Sequence, residues 1–552
     1  MMRSRDKGLL PVKKSYTIWV YSIIVIVILV MFAIVFNKDK SNRYSLETRT
    51  IQHIVDANTD SSVGPTEVNP DGTVDPETFA THLPLIIIDT NGEEIINIYE
   101  QGEDQSRQYI DPNVTDPYVD VSFTVINNDS KVNRIDDKPY FSNNGKIKMR
   151  GNSSRGFPKK QYGIKLLDEK GEELEYPLLG MEKDEDWVLC NSILDATHIR
   201  SYLAYNLGGL IDPQTPEVRF CEVLRKEGDQ YEYLGLYLLS ESVKKSKGRT
   251  DVKTYEGNTE NLSYIVARDR YDYTGTMVPT YGSDNQITYG WYNLIYPKGE
   301  KADEETVKAI GDEISEIEKT VYSEDNKEFM NYSQYIDVDS FVDYFILNEF
   351  LMNYDAGLHS EYYYKDQAHK FSAGPFWDFD NCLDNYVPEA GAVDWIVFTD
   401  YPMYEKLVKD PLFCQKLSFR YKELRKTILS DRFIEEFVND TVNYLGNASL
   451  REDSRWKDIR DELYSMQDSE ADGFLLVRAR DTYEGEIQRL LDTQQLHGAY
   501  LDKNLKSYLN MRIDKSLGNG PRQLISIAAI MMFAVFVVSV SLVSKLSRGE
   551  IK

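Results

Sequence analysis

The spacing of apolar residues changes partway along this chain. Between Leu83 and Leu239 apolar and polar residues largely alternate, whereas from Glu304 onward apolar residues recur every three or four positions. In the first half, Leu83–Asp89 is a β-branched run that meets an Asn91-Gly92 turn, and Val119–Ile126 is a second strand. Lys146–Arg150 and Lys160–Leu167 read as strands on either side of a turn-rich loop; Tyr162, Ile164 and Leu166 share one face of the latter, Gly163 and Lys165 the other. A short strand Trp187–Cys190 follows, then a helix Ile199–Leu207 that Asp195 is placed to cap, then a hairpin of Phe220–Leu224 and Tyr233–Leu239 around Gly228. In the second half, Val307, Ile310, Ile314 and Ile317 mark a helix over Glu304–Val321. A helix Val338–Leu351 begins near Asp337, and further helices are predicted over 404–446 and 451–515. Strands first and helices second define an α+β chain.

Two apolar runs bracket this pattern: Ile18–Phe36 and Leu524–Val543, nineteen and twenty residues without a charge. Each is long enough to cross a bilayer as a helix. No small-residue cleavage site follows the first, which continues Asn37-Lys38-Asp39-Lys40, so it reads as an uncleaved anchor. Arg3, Arg5, Lys7, Lys13 and Lys14 precede it, which places both termini in the cytoplasm and the large middle region outside the cell membrane. With a net charge of −27, the chain lacks the basic surface that tracking a phosphate backbone needs, so nucleic acid is not an expected partner. Residues 37–82 are polar, turn-rich and without apolar period, and read as a linker. The four cysteines have no metal-ligand spacing; Cys190 and Cys221 read as core thiols.

Three segments carry chemistry. The first runs from Arg150 through Gly151-Asn152-Ser153-Ser154-Arg155-Gly156 to Lys159, Lys160 and Lys165. A glycine- and serine-rich loop between strands exposes backbone N–H groups to an anion, with basic residues at both ends; taken alone, such a loop is more often an ordinary hairpin. The second, Asn353-Tyr354-Asp355-Ala356-Gly357, puts a carboxylate between an apolar helix and a tyrosine-rich strand. The third, Gly374-Pro375-Phe376-Trp377-Asp378-Phe379-Asp380, puts two carboxylates on one side of an extended segment. Such a pair suits magnesium accompanied by phosphates, and suits turn and cap aspartates equally well.

In order, spacing and wording, RGNSS…KKxYxIKL, WVL…IRSYLAYNL, YLGLYLLSES, NLIYPKGE, NYDAG and GPFWDFD resemble the spore-coat protein H (CotH) family over roughly residues 84–440. The resemblance implies a degenerate two-lobed protein-kinase-like fold with a small β-rich N-terminal region, here flanked by two transmembrane helices. The chain then divides into a tail 1–17, a span 18–36, the linker 37–82, the β-rich region 83–145, the kinase-like domain 146–440, a helical region 441–520, a span 524–543 and a tail 544–552. It implies transfer of phosphate from ATP, with Mg2+ or Mn2+, to a protein substrate or envelope protein. The alternative is a catalytically inactive surface scaffold for envelope or coat assembly.

By the same resemblance, Asp355 matches the catalytic aspartate, and Asp378, helped by Asp380, the metal ligand. Lys165 matches the phosphate-pairing lysine, with Lys160 and Arg150 as competitors. Glu241 falls near the hinge, either facing adenine or structural. The chain departs from ordinary kinases at Ser360, where they carry asparagine, and at Arg200, where they carry the glutamate that pairs the lysine.

Overall fold

The computed structural model describes residues 49–191, 193–286, 290–385, 393–468 and 482–517. Residues 45–514 form one compact unit. Its first half is a closed barrel of seven strands: β1 (Leu85–Asp89), β2 (Val119–Ile126), β3 (Phe141–Arg150), β4 (Gln161–Leu166), β5 (Asp186–Cys190), β6 (Val218–Glu227) and β7 (Gln230–Glu241). The spatial order is β7-β5-β4-β3-β2-β1-β6, and the β6–β7 hairpin closes the ring. All pairs are antiparallel except β1–β6, which run parallel with Leu85 opposite Glu222.

Alternation explains the filling. Val121, Phe123 and Val125 of β2, Ile147 of β3, Ile164 and Leu166 of β4, Trp187 and Leu189 of β5 and Val223 of β6 point inward and pack as one core. Strand β1 is apolar at every position from Leu85 to Ile88, and it is buried on both faces. Ile86 and Ile88 enter the barrel, while Leu85 and Ile87 pack outside it with Phe79 and Tyr233.

A second sheet contains β8 (Tyr264–Asp269), β9 (Met277–Val278), β10 (Trp291–Tyr296), β11 (Glu361–Lys365) and β12 (Ser372–Ala373), in the order β9-β10-β8-β11-β12. The longer helices are α1 (Arg200–Ile211), α2 (Glu304–Val321), α3 (Val338–Phe350), α4 (Pro411–Leu424), α5 (Asp431–Leu445), α6 (Asn447–Asp468) and α7 (Tyr483–Arg512). Asp337 caps α3 by accepting from the Asp339 N–H, and Asp195 accepts the Arg200 N–H at the start of α1.

The expected architecture is corrected in two respects. Residues 83–145 are not a separate β-rich appendage to a two-lobed fold. Strands β1, β2 and β3 are part of the barrel wall, because a strand apolar on both faces needs cover on both. The flanking transmembrane helices, and the membrane placement built on them, do not stand. Among the described residues no helix is long and apolar enough to cross a membrane, and the runs 18–36 and 524–543 lie outside the described residues. Part of the polar stretch read as a linker is seated against the helices: the Asn447 amide donates to the Ser62 and Gly64 carbonyls at 2.7 and 3.0 Å.

Candidate active site

At one rim of the barrel, where β3 and β5 end and β4 begins, a cavity of about 450 Å3 lies between the strands, α1 and the second sheet. It is lined by Lys148, Arg150 and Arg155 on the barrel side and by Asp269, Asp355, Asp378 and Asp380 on the other.

Asp355 sits on a short 3-10 turn, Tyr354–Gly357, just after α3. The turn is held from several directions. The Leu358 and His359 N–H groups donate to the Asp355 carbonyl at 2.9 and 2.7 Å. The buried Arg268 guanidinium, paired with Glu361, donates to the Gly357 carbonyl at 2.9 Å, and the Asn381 amide reaches the Asp355 carboxylate at 3.3 Å.

The second acidic turn is fixed by its aromatic neighbours. Phe376 stacks on Tyr344 with ring centres 5.3 Å apart, Phe379 meets Tyr205 edge-on at 5.2 Å, and Trp377 meets Tyr205 and Tyr362 edge-on. With Phe376, Trp377 and Phe379 so anchored, Asp378 is held at a φ of +61°, a left-handed conformation uncommon for aspartate. The Asn353 amide ties the two turns together by donating to the Asp378 carbonyl at 3.0 Å.

Withdrawal from water, with Asp355 next to it, pushes the Asp378 carboxyl up to about 6. Withdrawal from water and the neighbouring Asp378 and Asp355 raise Asp380 well above the usual carboxylate range. Among the described residues no lysine or arginine forms an ion pair with Asp355, Asp378 or Asp380, nor any carboxylate with Lys148, Arg150 or Arg155. The cavity therefore has an acidic end, where Asp355, Asp378 and Asp380 form no ion pair among the described residues while Asp269 lies 3.5 Å from Arg270, and a basic end of Lys148, Arg150 and Arg155. The acidic end fits a divalent cation and the basic end fits phosphates.

Of the residues expected from sequence, Arg150, Asp355, Asp378 and Asp380 are brought together here. Lys160, Lys165 and Glu241 are not among the lining residues. The Lys160 ammonium donates to the Arg155 carbonyl at 2.7 Å, and Lys165 pairs with Glu173 at 2.6 Å and Asp186 at 3.3 Å. Glu241 is 3% exposed, and its carboxylate accepts the Glu217 N–H at 2.9 Å. Ser360 lines the cavity with its hydroxyl 3.4 Å from Asp269.

Sequence reasoning missed Lys148 and Asp269, and it named Arg155 and Lys159 as part of the basic loop segment without giving either a site role. The stem of Lys148 crosses Gly163, where an added Cβ would lie 3.5 Å from it. Burial, with Arg150 and Arg107 nearby, lowers its ammonium to about 8. Lys159 is buried at the cavity edge and pairs at 2.6 Å with Glu452 of α6. Among the described residues, one trio of acids has ligand atoms within 4.8 Å of one another: Asp184, Glu185 and Asp186. The Lys244 ammonium contacts all three at 2.5–3.1 Å.

A strand-built rim facing acidic turns across a polar cavity defines a phosphate- and metal-compatible cleft in an α+β protein. Comparison with protein families matches residues 147–501 to the CotH kinase protein family, and the chain belongs to that family. No curated protein matches it.

Proposed function

We propose that this chain is an atypical protein kinase that transfers phosphate from ATP to a protein hydroxyl with a divalent metal. The observation that carries this reading is the division of charge in one cavity. Among the described residues, Asp355, Asp378 and Asp380 have no cationic side chain paired with them, and Lys148, Arg150 and Arg155 have no anionic one. Asp378 and Asp380 are the residues that would hold Mg2+ or Mn2+, which with ATP supplies charge neutralisation on the transferring group. Arg150 and Lys148 bring fixed positive charge to the phosphate side, where charge-assisted hydrogen bonds are strongest. Asp355, on its braced turn, orients the acceptor hydroxyl and accepts its proton. The rest of the catalytic effect is positioning.

The test is manganese-dependent ATP binding and phosphoryl transfer to a mixture of protein acceptors by the full chain, beside Asp378→Asn. Loss of both in the variant, with an unchanged melting temperature, is expected. Wild-type transfer by Asp378→Asn would sink the assignment.

A further inference from the structure

Tyr99–Gln101 and Arg107–Tyr109 form a two-stranded hairpin that precedes the family-matched segment yet lines the same cavity. It is bolted to the second sheet's side of the cavity. The Arg107 N–H donates to the Tyr271 carbonyl at 2.8 Å, the Tyr273 N–H donates to the Arg107 carbonyl at 2.9 Å, and the Arg107 guanidinium lies 3.4 Å from Asp272. Two guanidiniums meet on one ring there: the carbons of Arg107 and Arg155 lie 4.1 and 4.5 Å from the centre of Tyr99, which also stacks on Tyr109.

Arg155 is 8% exposed, has no carboxylate partner among the described residues, and its Nε has no hydrogen-bond acceptor. A buried guanidinium left so, beside a second one, is costly unless an anion joins it. Its neighbours work in the same direction: burial and the Arg107 charge lower the Arg155 guanidinium to about 10.

We propose that this hairpin completes the basic end of the cavity as an oxyanion clamp, in which Arg107 and Arg155, both braced on Tyr99, bind a phosphate or carboxylate group of the substrate. As an account of substrate recognition this rests on the kinase reading, so its test reads binding without metal or turnover. The oxyanion belongs either to the phosphate tail of the nucleotide or to an acidic or phosphorylated acceptor peptide; the guanidinium chemistry is the same for both.

The full chain is titrated, metal-free and at low salt, with inorganic triphosphate and with a fluorescent glutamate-rich peptide bearing one phosphoserine. Wild type is compared with Arg107→Gln, Arg155→Gln and Asp272→Asn, and each variant's melting temperature is recorded. Arg107 is half-buried at the cavity wall, so Arg107→Gln is the variant expected to keep the fold if Arg155→Gln does not.

At least tenfold weaker binding of either probe by Arg107→Gln is expected. Loss confined to triphosphate assigns the clamp to the nucleotide, and loss confined to the peptide assigns it to the acceptor. Asp272→Asn, which frees Arg107 from its carboxylate, is expected to tighten the same probe. Unchanged binding of both probes in Arg107→Gln overturns the proposal. So does a wild-type chain that binds neither, an outcome that leaves the Asp378→Asn transfer test standing.

Discussion

The guanidinium carbon of Arg150 lies 4.9 Å from the centre of the Trp377 ring. The last residue of β3 thus touches the residue before Asp378, and the barrel meets the acidic turn through one cation–π contact. Partly withdrawn from water, such a contact contributes about 1–2 kcal/mol. The same ring also packs against Tyr205 and Tyr362. Trp377→Leu is expected to lower stability by about 2 kcal/mol through lost packing, and to weaken manganese–ATP binding more than Arg150→Lys does. Urea unfolding and calorimetric titration read the two effects. Full ATP affinity in a destabilised Trp377→Leu would mean that the ring supports the fold without setting the site.

A second long-range tie joins Arg451 of α6 to Glu222 of β6. The Arg451 Nη2 donates to the Glu222 carboxylate at 2.6 Å, Nε does so at 2.8 Å, and Nη1 donates to the Pro65 carbonyl at 2.6 Å. Both side chains are fully buried, so removing one partner strands a charge. Arg451→Met is expected to cost about 3–5 kcal/mol, while Arg451→Met with Glu222→Gln recovers part of that loss. Equal stability of the single and double variants in urea would show that the pair is not coupled.

How much of this was legible in the sequence follows from which contacts are local. Asp355, Asp378 and Asp380 sit in short turns whose neighbours in sequence, Asn353, Phe376 and Phe379, are also the groups that fix them. The alternation of Tyr162, Ile164 and Leu166 was also readable, and these residues face the barrel core. Parity alone does not choose among Lys146, Lys148 and Lys165, which all point off that core. In the β3–β4 register Lys148 lies opposite Gly163, which leaves room for its stem along the cavity, while Lys146 lies opposite Lys165. Barrel closure depends on β1 pairing in parallel with β6, and the Lys159–Glu452 pair joins opposite ends of the domain. Neither leaves a local signal. Tyr99 and Arg107 are held beside the cavity by partners distant in sequence, the Tyr271 and Tyr273 backbone, Asp272 and Arg155, so no pattern around them announces a site.

Glu241 gives a stability test with a defined sign. Burial pushes its carboxyl from the ordinary 4.5 up to about 7, with Arg249 offsetting part of the effect. The folded chain therefore holds this proton more tightly than the unfolded chain does. Between about pH 4.5 and 7 the unfolded state releases it first and stability falls as pH rises; above 7 both states are ionised and the full penalty remains. The shift corresponds to at most about 3 kcal/mol. Glu241→Gln keeps an acceptor for the Glu217 N–H and loses the titration. The variant's advantage over wild type in urea should therefore grow from pH 5 to pH 8. A difference that does not change across that window would place the burial cost elsewhere.

Lys148 supplies the opposite titration, inside the cavity. Burial is the main cause of its lowered ammonium, with Arg150 and Arg107 adding to it, and it loses its charge near pH 8. At pH 7 it is charged and adds to the attraction for an anion; at pH 9 it is neutral, and only the arginines remain. An anion bound beside it stabilises the charged form, so raising pH from 7 to 9 is expected to weaken inorganic triphosphate binding by about tenfold, one unit of proton linkage. Lys148→Arg keeps its charge throughout this range and should remove most of that dependence while binding at pH 7 stays close to wild type. The same fall in affinity in both proteins would mean that Lys148 does not face the anion. Its ammonium would then be held by the Tyr118 ring, 4.6 Å away, and the basic end would consist of Arg107, Arg150 and Arg155 alone.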